Sequence, residues 1–239
     1  MKELTLGQIA AWCGAEIKKE DSQINVTGVQ PDSRQIRAGE LFVAICGERV
    51  DGHDYIAAAA ERGASAALVS RPVEAEIPCL LVDDTIRAYG AIAAGYRQLF
   101  PLRVVGVTGS VGKTSTKEMI ACVLSTMYHT AKTEGNHNNS LGLPMTIMDM
   151  PEGTQAAVLE MGMNHFGEMA NLTAIARPDI AVITNIGTMH IEHLGTREGI
   201  LQAKLEIMKG LPTDGIGLFN GILLGFQAQV IVHGKREAP

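Results

Sequence analysis

The chain has 239 residues, of which 46% are hydrophobic and 19% charged; this composition excludes an intrinsically disordered protein and suits one large or two modest globular domains. Its formal net charge of −6 provides no broad basic surface, so we expect no nucleic-acid partner. No apolar run is long enough to span a membrane, and the N-terminus has no apolar stretch of signal-peptide length. The four cysteines form no Cys-x-x-Cys pair, which predicts reduced thiols in a cytoplasmic protein.

The first hundred residues alternate short apolar runs with helical segments. Strands are predicted over residues 41–45, 66–69 and 79–82, and helices over residues 54–62 and 85–100. The pattern of the chain changes near Pro101. We therefore predict a small α/β domain over residues 1–100 and a second domain over residues 101–239.

The apolar runs after Pro101 are continuous. They cover residues 104–107, 156–159 and 180–183, and helical segments separate them. Continuous apolar strands with helices between them predict a parallel sheet that is covered on both faces. The predicted fold class of the whole chain is therefore α/β.

The first of these strands leads into a glycine turn with the pattern of a phosphate-binding loop. Gly109-x-x-Gly112-Lys113-Thr114 is a short form of the P-loop motif, since Val107 stands where the full motif has its first glycine. Backbone N–H groups and the N-terminus of the next helix favour an anion, Lys113 can reach the terminal phosphates, and Thr114 can bind Mg²⁺. A glycine turn with a surface lysine is the alternative. The loop residues predicted to contact the nucleotide are Gly109, Ser110, Val111, Gly112, Lys113, Thr114 and Ser115.

Polar residues also follow the other two strands of the predicted parallel sheet. Glu160 ends the second strand, and Asn185 and His190 follow the third. Ligands of such sheets bind beyond the carboxyl ends of the strands, so we expect these residues beside the nucleotide, with Asn185 in contact with it. Taken singly, Glu160 could be a solvated residue and His190 a loop residue. Their shared location with the phosphate loop favours a Mg²⁺ site, because Mg²⁺ prefers oxygen ligands such as those of Glu160 and Thr114.

Lys204 interrupts the apolar face of a predicted helix over residues 197–209. At about 100° per residue it falls on the same arc as Ile200, Leu201 and Leu205. One interpretation is a lysine whose charged end reaches the surface. The other is a lysine that points into an active site, where burial would shift its pKa.

Four blocks in this half of the chain together resemble the ATP-dependent Mur ligases of peptidoglycan synthesis. They are residues 108–114, residues 160–162, residues 184–187 with His190, and residues 203–207. The resemblance implies an incomplete P-loop-type parallel-sheet ATPase domain that uses ATP and Mg²⁺, with Lys113, His190 and Lys204 as catalytic residues. It implies that Thr114 and Glu160 hold a first Mg²⁺ and that His190 helps to hold a second. It also implies that Lys204 is carbamylated and is a metal ligand, because the modified group is an anionic oxygen donor.

The first half of the chain resembles the N-terminal domain that holds the UDP part of the precursor in the same family. The resemblance lies in residues 32–34, 39–44, 47 and 51–54. It implies that Ser33 and Arg34 bind substrate near the uridine diphosphate, and an arginine suits a pyrophosphate oxygen. An ordinary polar turn is the alternative for residues 32–34.

Two branches of the family share this N-terminal pattern, one adding the third amino acid of the stem peptide and the other adding D-alanyl-D-alanine. Residues 135–144 and 160–168 resemble the second branch, and the Thr-Thr-Pro signature of the first is not found. The implied partners are UDP-N-acetylmuramoyl tripeptide and D-alanyl-D-alanine, which react through an acyl phosphate. Asn138 and Asn139 are then substrate-binding residues. The first branch stays open as an alternative.

The resemblance covers residues 1 to about 220, whereas the family is expected to have three domains. We therefore expect the C-terminal domain, which should bind the dipeptide and close over ATP, to be absent from this chain, and we expect a monomer. Residues 222–239 resemble nothing identified. A catalytically inactive precursor- or nucleotide-binding fragment is one alternative function. An unrelated P-loop kinase is another, but it leaves residues 32–34, Glu160 and Lys204 unexplained.

Overall fold

A computed structural model describes residues 1–47 and 49–219 of the chain. The chain divides into two compact units, Met1–Tyr96 and Arg97–Pro239, and this division lies four residues before the predicted one at residue 100. Residues 222–239, and with them the end of the predicted second domain, lie outside the described residues.

The first unit combines a short antiparallel pair of strands with a four-stranded parallel sheet. Strands β1 and β2 pair antiparallel, and β3, β4, β5 and β6 form the parallel sheet in that order. The strands are β1 (Leu4–Thr5), β2 (Asn25–Val26), β3 (Gly28–Gln30), β4 (Glu40–Val43), β5 (Ala66–Val69) and β6 (Cys79–Leu81), and the helices are α1 (Leu6–Cys13), α2 (Ile56–Glu61) and α3 (Thr85–Arg97).

Continuous apolar strands place this parallel sheet in the core of the first unit. All four residues of β5 are buried, and Phe42 of β4 lies in one apolar cluster with Ile56 and Ala59 of α2. Because the strands are parallel, the loops that follow β3, β4 and β5 leave the same edge of the sheet. This edge carries residues 31–35, 44–47, 49–52 and 70–72.

The second unit is built on one parallel sheet within its described residues. The strand order is β11-β10-β7-β9-β8, with every neighbouring pair parallel, as the continuous apolar runs predict. None of the described helices of the chain is both long and apolar enough to cross a membrane. The strands are β7 (Arg103–Thr108), β8 (Thr130–Lys132), β9 (Ala156–Glu160), β10 (Ile180–Ile183) and β11 (Ile216–Phe219), and the helices are α4 (Lys113–Leu124), α5 (Gly142–Met148), α6 (Glu168–Ala176), α7 (Ile191–Leu194) and α8 (Arg197–Leu205).

Strand β7 lies in the middle of this sheet, between β9 and β10. Val107 pairs with Glu160 of β9, and Thr108 pairs with Ile183 of β10, so the carboxyl ends of the three strands are level. The chain passes from β7 to β8 and β9 on one side and then crosses to β10 on the other. Such a reversal of strand order is where open α/β sheets bind their ligands.

The strands predicted over residues 66–69 and 180–183 are confirmed residue for residue, whereas two helices of the first half are shorter than predicted. The segment 54–62 begins as a 3-10 turn, Gly52–Tyr55, whose N-terminus is capped by the side chain of Asp51, and α2 starts only at Ile56. The helix predicted over 85–100 ends at Arg97. The Arg97 guanidinium donates hydrogen bonds to the carbonyl groups of Phe100 and Leu102, which stabilises a turn there instead.

The helix predicted over residues 197–209 ends at Leu205 and continues as a 3-10 turn, Glu206–Gly210. The Glu206 carboxylate accepts the N–H groups of Gly167, at 3.0 Å, and Ala170, at 3.2 Å, at the start of α6. An acidic side chain is favourable at a helix N-terminus. This contact draws the end of α8 toward α6 and explains the change of helix type.

Candidate functional site

The loop between β7 and α4 turns at two glycines. Gly109 has a φ of 151° and Gly112 a φ of 80°, values that residues with a Cβ rarely adopt. A Cβ at Gly109 would also collide with the hydroxyl of Thr184. Helix α4 begins at Lys113, and its first N–H groups have no partner within the helix, so they are available to an anion. The loop therefore has the strand–turn–helix context that a phosphate site requires, and nucleotide contact by its residues stays a prediction.

Asn185 ties this loop to the end of the neighbouring strand. Its side-chain oxygen accepts the N–H groups of Ser110, at 3.1 Å, and Val111, at 2.9 Å. The Ser110 hydroxyl accepts the N–H of Gly187 at 2.9 Å, and the Thr184 hydroxyl donates to the Val111 carbonyl at 2.6 Å. Two N–H groups of the loop thus bind Asn185 in this conformation. A phosphate group would be bound mainly by the first turn of α4.

Lys113 folds back over the loop. Its Nζ donates to the carbonyl of Gly109 at 2.9 Å. Burial lowers the pKa of Lys113, and the negative charge of Glu160 acts in the opposite direction. Ser115, in the same turn of the helix, is exposed. A lysine held this way stays close to the position that a bound phosphate would occupy.

Glu160 is a buried carboxylate at the end of β9. It is 2% exposed, its Oε2 accepts the Thr114 hydroxyl at 2.9 Å, and its Oε1 accepts the Asn138 amide at 2.9 Å. Thr114 and Glu160 are 46 residues apart in sequence. The fold therefore brings together the two residues predicted to hold the first Mg²⁺.

The oxygen donors at this position fit Mg²⁺. Residues 1–47 and 49–219 contain no group of three or more His, Cys, Asp or Glu side chains that could hold a metal ion by itself. Mg²⁺ is commonly bound through one or two protein oxygens, with waters and substrate phosphates completing its coordination. One hydroxyl, on Thr114, and one carboxylate, on Glu160, match a metal ion that arrives with a nucleotide.

His190 and Lys204 lie near the same edge of the sheet. His190 precedes α7 with a φ of 65°, and partial burial, followed by the charge of Lys204, lowers its pKa. Lys204 is 1% exposed on α8. Burial, followed by the charge of Lys113, lowers the pKa of Lys204 to about 8. The surface position considered for Lys204 is therefore wrong, and the positive charges of Lys204 and Lys113 both act on His190.

Asn138 and Asn139 lie between β8 and α5 and make different contacts. Asn138 reaches Glu160 with its side chain, and its carbonyl accepts the N–H of Gly162 at 2.7 Å. The Asn139 oxygen accepts the N–H groups of Leu141 and Gly142 at the start of α5. Asn139 thus stabilises a helix N-terminus in this conformation, and substrate contact by either residue stays a prediction.

Comparison with known proteins identifies the family. Residues 25–99 match the catalytic domain of the Mur ligase family, and residues 107–223 match the Mur ligase middle domain. The UDP-N-acetylmuramoyl-tripeptide–D-alanyl-D-alanine ligase of Bacillus subtilis is 48% identical over 202 residues, which cover 83% of this chain and 44% of that protein. This chain belongs to the Mur ligase family.

Solved Mur ligase structures share its fold. A crystal structure of MurF from Acinetobacter baumannii matches with a TM-score of 0.87 and 38% identity, covering 92% of this chain and 49% of that one. MurF from Thermotoga maritima in complex with ADP matches with a TM-score of 0.77 and 38% identity, covering 80% and 45%. The predicted α/β class and the family resemblance are confirmed. The chain spans about half the length of the Mur ligases it matches.

The residues predicted to bind the UDP part of the precursor lie directly after β3, and their contact with it stays a prediction. The Arg34 guanidinium binds the Asp32 carboxylate through two contacts of 2.9 Å, and Ser33 and Arg34 form part of a 3-10 turn, Ser33–Gln35. The hydrogen bond from the Arg34 side chain holds the pKa of Asp32 well below its usual range. The side chain of Arg34 is 83% exposed, so it can exchange Asp32 for another anion.

Sequence reasoning missed two buried polar residues, Lys117 on the helix that follows the predicted phosphate loop and Thr133 after β8. Lys117 is 1% exposed and Thr133 is 0% exposed. Lys117 lies one helical turn after Lys113 and one before Ala121, but the apolar Met119 and Val123 of the same helix are exposed, so the sequence pattern does not predict its burial. Thr133 follows a three-residue strand that has no apolar pattern, and the sequence gives no signal for it.

Proposed function

We propose that this chain provides the precursor-binding and ATP-binding parts of a ligase that joins D-alanyl-D-alanine to UDP-N-acetylmuramoyl tripeptide in peptidoglycan synthesis. The observation that carries the proposal is the contact between Thr114 and Glu160 beside Lys113, at the end of the central strand. The names of the matched ligases support the choice of substrates.

In the proposed reaction, the terminal carboxylate of the tripeptide attacks the γ-phosphorus of ATP, which releases ADP and forms an acyl phosphate. The amine of D-alanyl-D-alanine then attacks the acyl carbon, loses a proton and expels inorganic phosphate. Lys113 and the N–H groups at the start of α4 stabilise the negative charge on the transferred phosphoryl group. Thr114 and Glu160 would hold Mg²⁺, which would supply further positive charge beside the phosphates.

Lys204 is proposed to act as a carbamate. A pKa of about 8 leaves a fraction of its amine neutral at physiological pH. A neutral amine can add to CO₂ through nitrogen and lose a proton, which gives an anion with two oxygens. Such an anion would relieve the repulsion from Lys113, and with His190 it could hold a second Mg²⁺.

A second candidate is nucleotide and precursor binding without ligation. The described residues supply one position proposed for the nucleotide, at Thr114 and Glu160, and one proposed for the precursor, at Arg34, and binding at either does not require ligation. The ligase branch that adds the third amino acid of the stem peptide is a weaker candidate, because a structure of that branch matches at only 20% identity.

Phosphate release by the purified chain separates these functions. The assay contains UDP-N-acetylmuramoyl tripeptide, ATP and Mg²⁺, with and without D-alanyl-D-alanine, and Lys113→Ala as the inactive control. Release that depends on the dipeptide supports the ligase. Binding of ATP and of the tripeptide, without dipeptide-dependent release, supports the binding function. Absence of ATP binding by the folded chain would contradict both.

A further inference from the structure

Lys117 is a buried ammonium group on the helix that follows the phosphate loop. Its Nζ donates to the carbonyl of Thr133 at 2.5 Å and lies 3.1 Å from a carboxylate oxygen of Glu118. Burial of an ammonium group is unfavourable unless the group is paired and hydrogen-bonded. Lys117 has both kinds of partner, so its charge can be kept inside the fold.

Thr133 connects this lysine to the proposed metal ligand. Its hydroxyl accepts the N–H of Glu160 at 2.9 Å, and its own N–H donates to the carbonyl of Val158 at 3.1 Å. Lys117 therefore binds the backbone carbonyl of Thr133, and the hydroxyl of Thr133 binds the backbone N–H of Glu160. The Glu160 carboxylate in turn accepts the Thr114 hydroxyl, so a continuous series of contacts runs from α4 through Thr133 to the end of β9.

Glu118 fixes the ammonium group from the other side. One carboxylate oxygen faces Lys117, and the other accepts a hydrogen bond from Lys132 of β8. The hydrogen bond from Lys132, followed by that from Lys117, lowers the pKa of Glu118, so the carboxylate stays ionised at neutral pH. Glu118 thus contacts two cations. Lys132 is partly exposed, and Lys117 is buried and binds Thr133.

We propose that Lys117 is a positioning residue for Glu160, holding the end of β9 through Thr133 so that the carboxylate stays beside the Thr114 hydroxyl. This inference rests on the proposed Mg²⁺–ATP site. Groups that orient a metal ligand typically change metal affinity by about 10–100-fold when they are replaced.

The test measures ATP affinity by calorimetry, once with Mn²⁺ as the probe for the metal site and once in EDTA. The ratio of the two affinities reports the contribution of the metal ion. Lys117→Met removes the charge and keeps a side chain of similar length, and Lys209→Met removes an exposed cation outside this network as the control. We expect Lys117→Met to lower the ratio about 10-fold, with unchanged affinity in EDTA, and Lys209→Met to change neither value.

A second pair of variants tests the link without altering any charge. Thr133→Val removes the hydroxyl that accepts the Glu160 N–H, and Thr133→Ser keeps it. We expect the valine variant to lower the ratio and the serine variant to preserve it. This pair decides the matter if near-UV circular dichroism shows that Lys117→Met does not fold.

The outcomes separate the inference from the proposed function. If the parent chain gains no ATP affinity from Mn²⁺, or if Glu160→Gln keeps that gain, the metal site is wrong and both proposals fail. If Glu160→Gln removes the gain while folded Lys117→Met and Thr133→Val retain it, only the positioning role is overturned. If these variants lose the same ATP affinity with Mn²⁺ as in EDTA, the positioning role is also overturned, because such a loss would indicate damage to the phosphate loop.

Discussion

The two parallel sheets of this chain both end in polar loops, but they place their charges differently. At the carboxyl edge of the second unit, Lys117, Lys204 and Glu160 are at most 2% exposed. At the equivalent edge of the first unit, the side chains of Arg34 and Arg71 are 83% and 47% exposed and pair with neighbouring aspartates. Burial strengthens electrostatic interactions, so the second unit should be the more sensitive of the two to loss of a charge.

The buried polar side chain at the edge of the first unit joins two loops. The Nδ1 of His53 lies 2.6 Å from the Asp51 carboxylate, and its Nε2 accepts the backbone N–H of Ser70 at 3.0 Å. The three residue types are those of a hydrolase triad, but Nε2 is occupied by a backbone donor and is not free to take the Ser70 hydroxyl proton. His53 therefore links the loops after β4 and β5, so the buried polar side chain stabilises the fold of this unit.

The largest expected effect on binding is that of Lys113→Ala in the second unit. Removal of the half-buried cation at the proposed phosphate position should weaken Mg²⁺–ATP binding by about 30-fold or more, since loss of one partner of a desolvated charge pair costs about 2–5 kcal/mol. Calorimetry measures the affinity, and Lys209→Ala, with a side chain that is 65% exposed, is the control. An affinity within twofold of the parent would show that the charge at this edge does not face phosphate.

Lys204→Met should stabilise the fold. The pKa of Lys204 is lowered from 10.5 to about 8, so below pH 8 the folded chain carries the full cost of a buried charge. Between pH 8 and 10.5 the unfolded chain binds more protons than the folded one, and this cost declines; above 10.5 it is absent. The variant should therefore raise the free energy of unfolding by about 2–3 kcal/mol at pH 7, and the gain should disappear by pH 10.5.

Urea denaturation in CO₂-free buffer at pH 7 and at pH 10.5 measures this difference, with Lys209→Met as the control on the exposed surface. A loss of stability at pH 7 would mean that contacts of the lysine outweigh the cost of burying its charge. It would also contradict the comparison of the two units, in which burying a charge destabilises the second unit while the charges of the first unit are exposed.

The contact between Thr114 and Glu160 could be predicted from sequence because two local rules suffice. Glycine spacing locates the loop, and parallel strands bring their carboxyl ends to one edge. The burial of Lys117 could not be predicted in this way, because Met119 and Val123 on the same helix are 63% and 68% exposed, the reverse of an amphipathic pattern. The polar partner of Lys117, Thr133, follows β8, a short strand that is stabilised by pairing with β9.

Glu160→Gln should reduce the contribution of Mg²⁺ to ATP binding by about 10-fold, a smaller effect than that of Lys113→Ala. The amide keeps the volume of the side chain, and its one oxygen can accept from either Thr114 or Asn138, so the negative charge and one acceptor are lost. ATP affinity with and without Mg²⁺ measures the change. Glu198→Gln makes the same substitution on an exposed turn of α8 and should have no effect.

Arg34→Ala should have the smallest effect, a loss of about fivefold in the affinity for UDP, because exposed charged groups interact weakly in water. The guanidinium must also exchange its two contacts with Asp32 for the pyrophosphate, which offsets part of the gain. Calorimetry with UDP as the ligand measures the loss, and Arg37→Ala, an exposed arginine three residues further along the chain, is the control. The effect should shrink as salt is added, since an exposed pair is screened, while the Lys113→Ala effect on ATP should persist. A loss of UDP affinity of about 100-fold on Arg34→Ala would contradict this comparison of the two units. It would mean that UDP binding buries Arg34 as fully as the second unit buries its lysines.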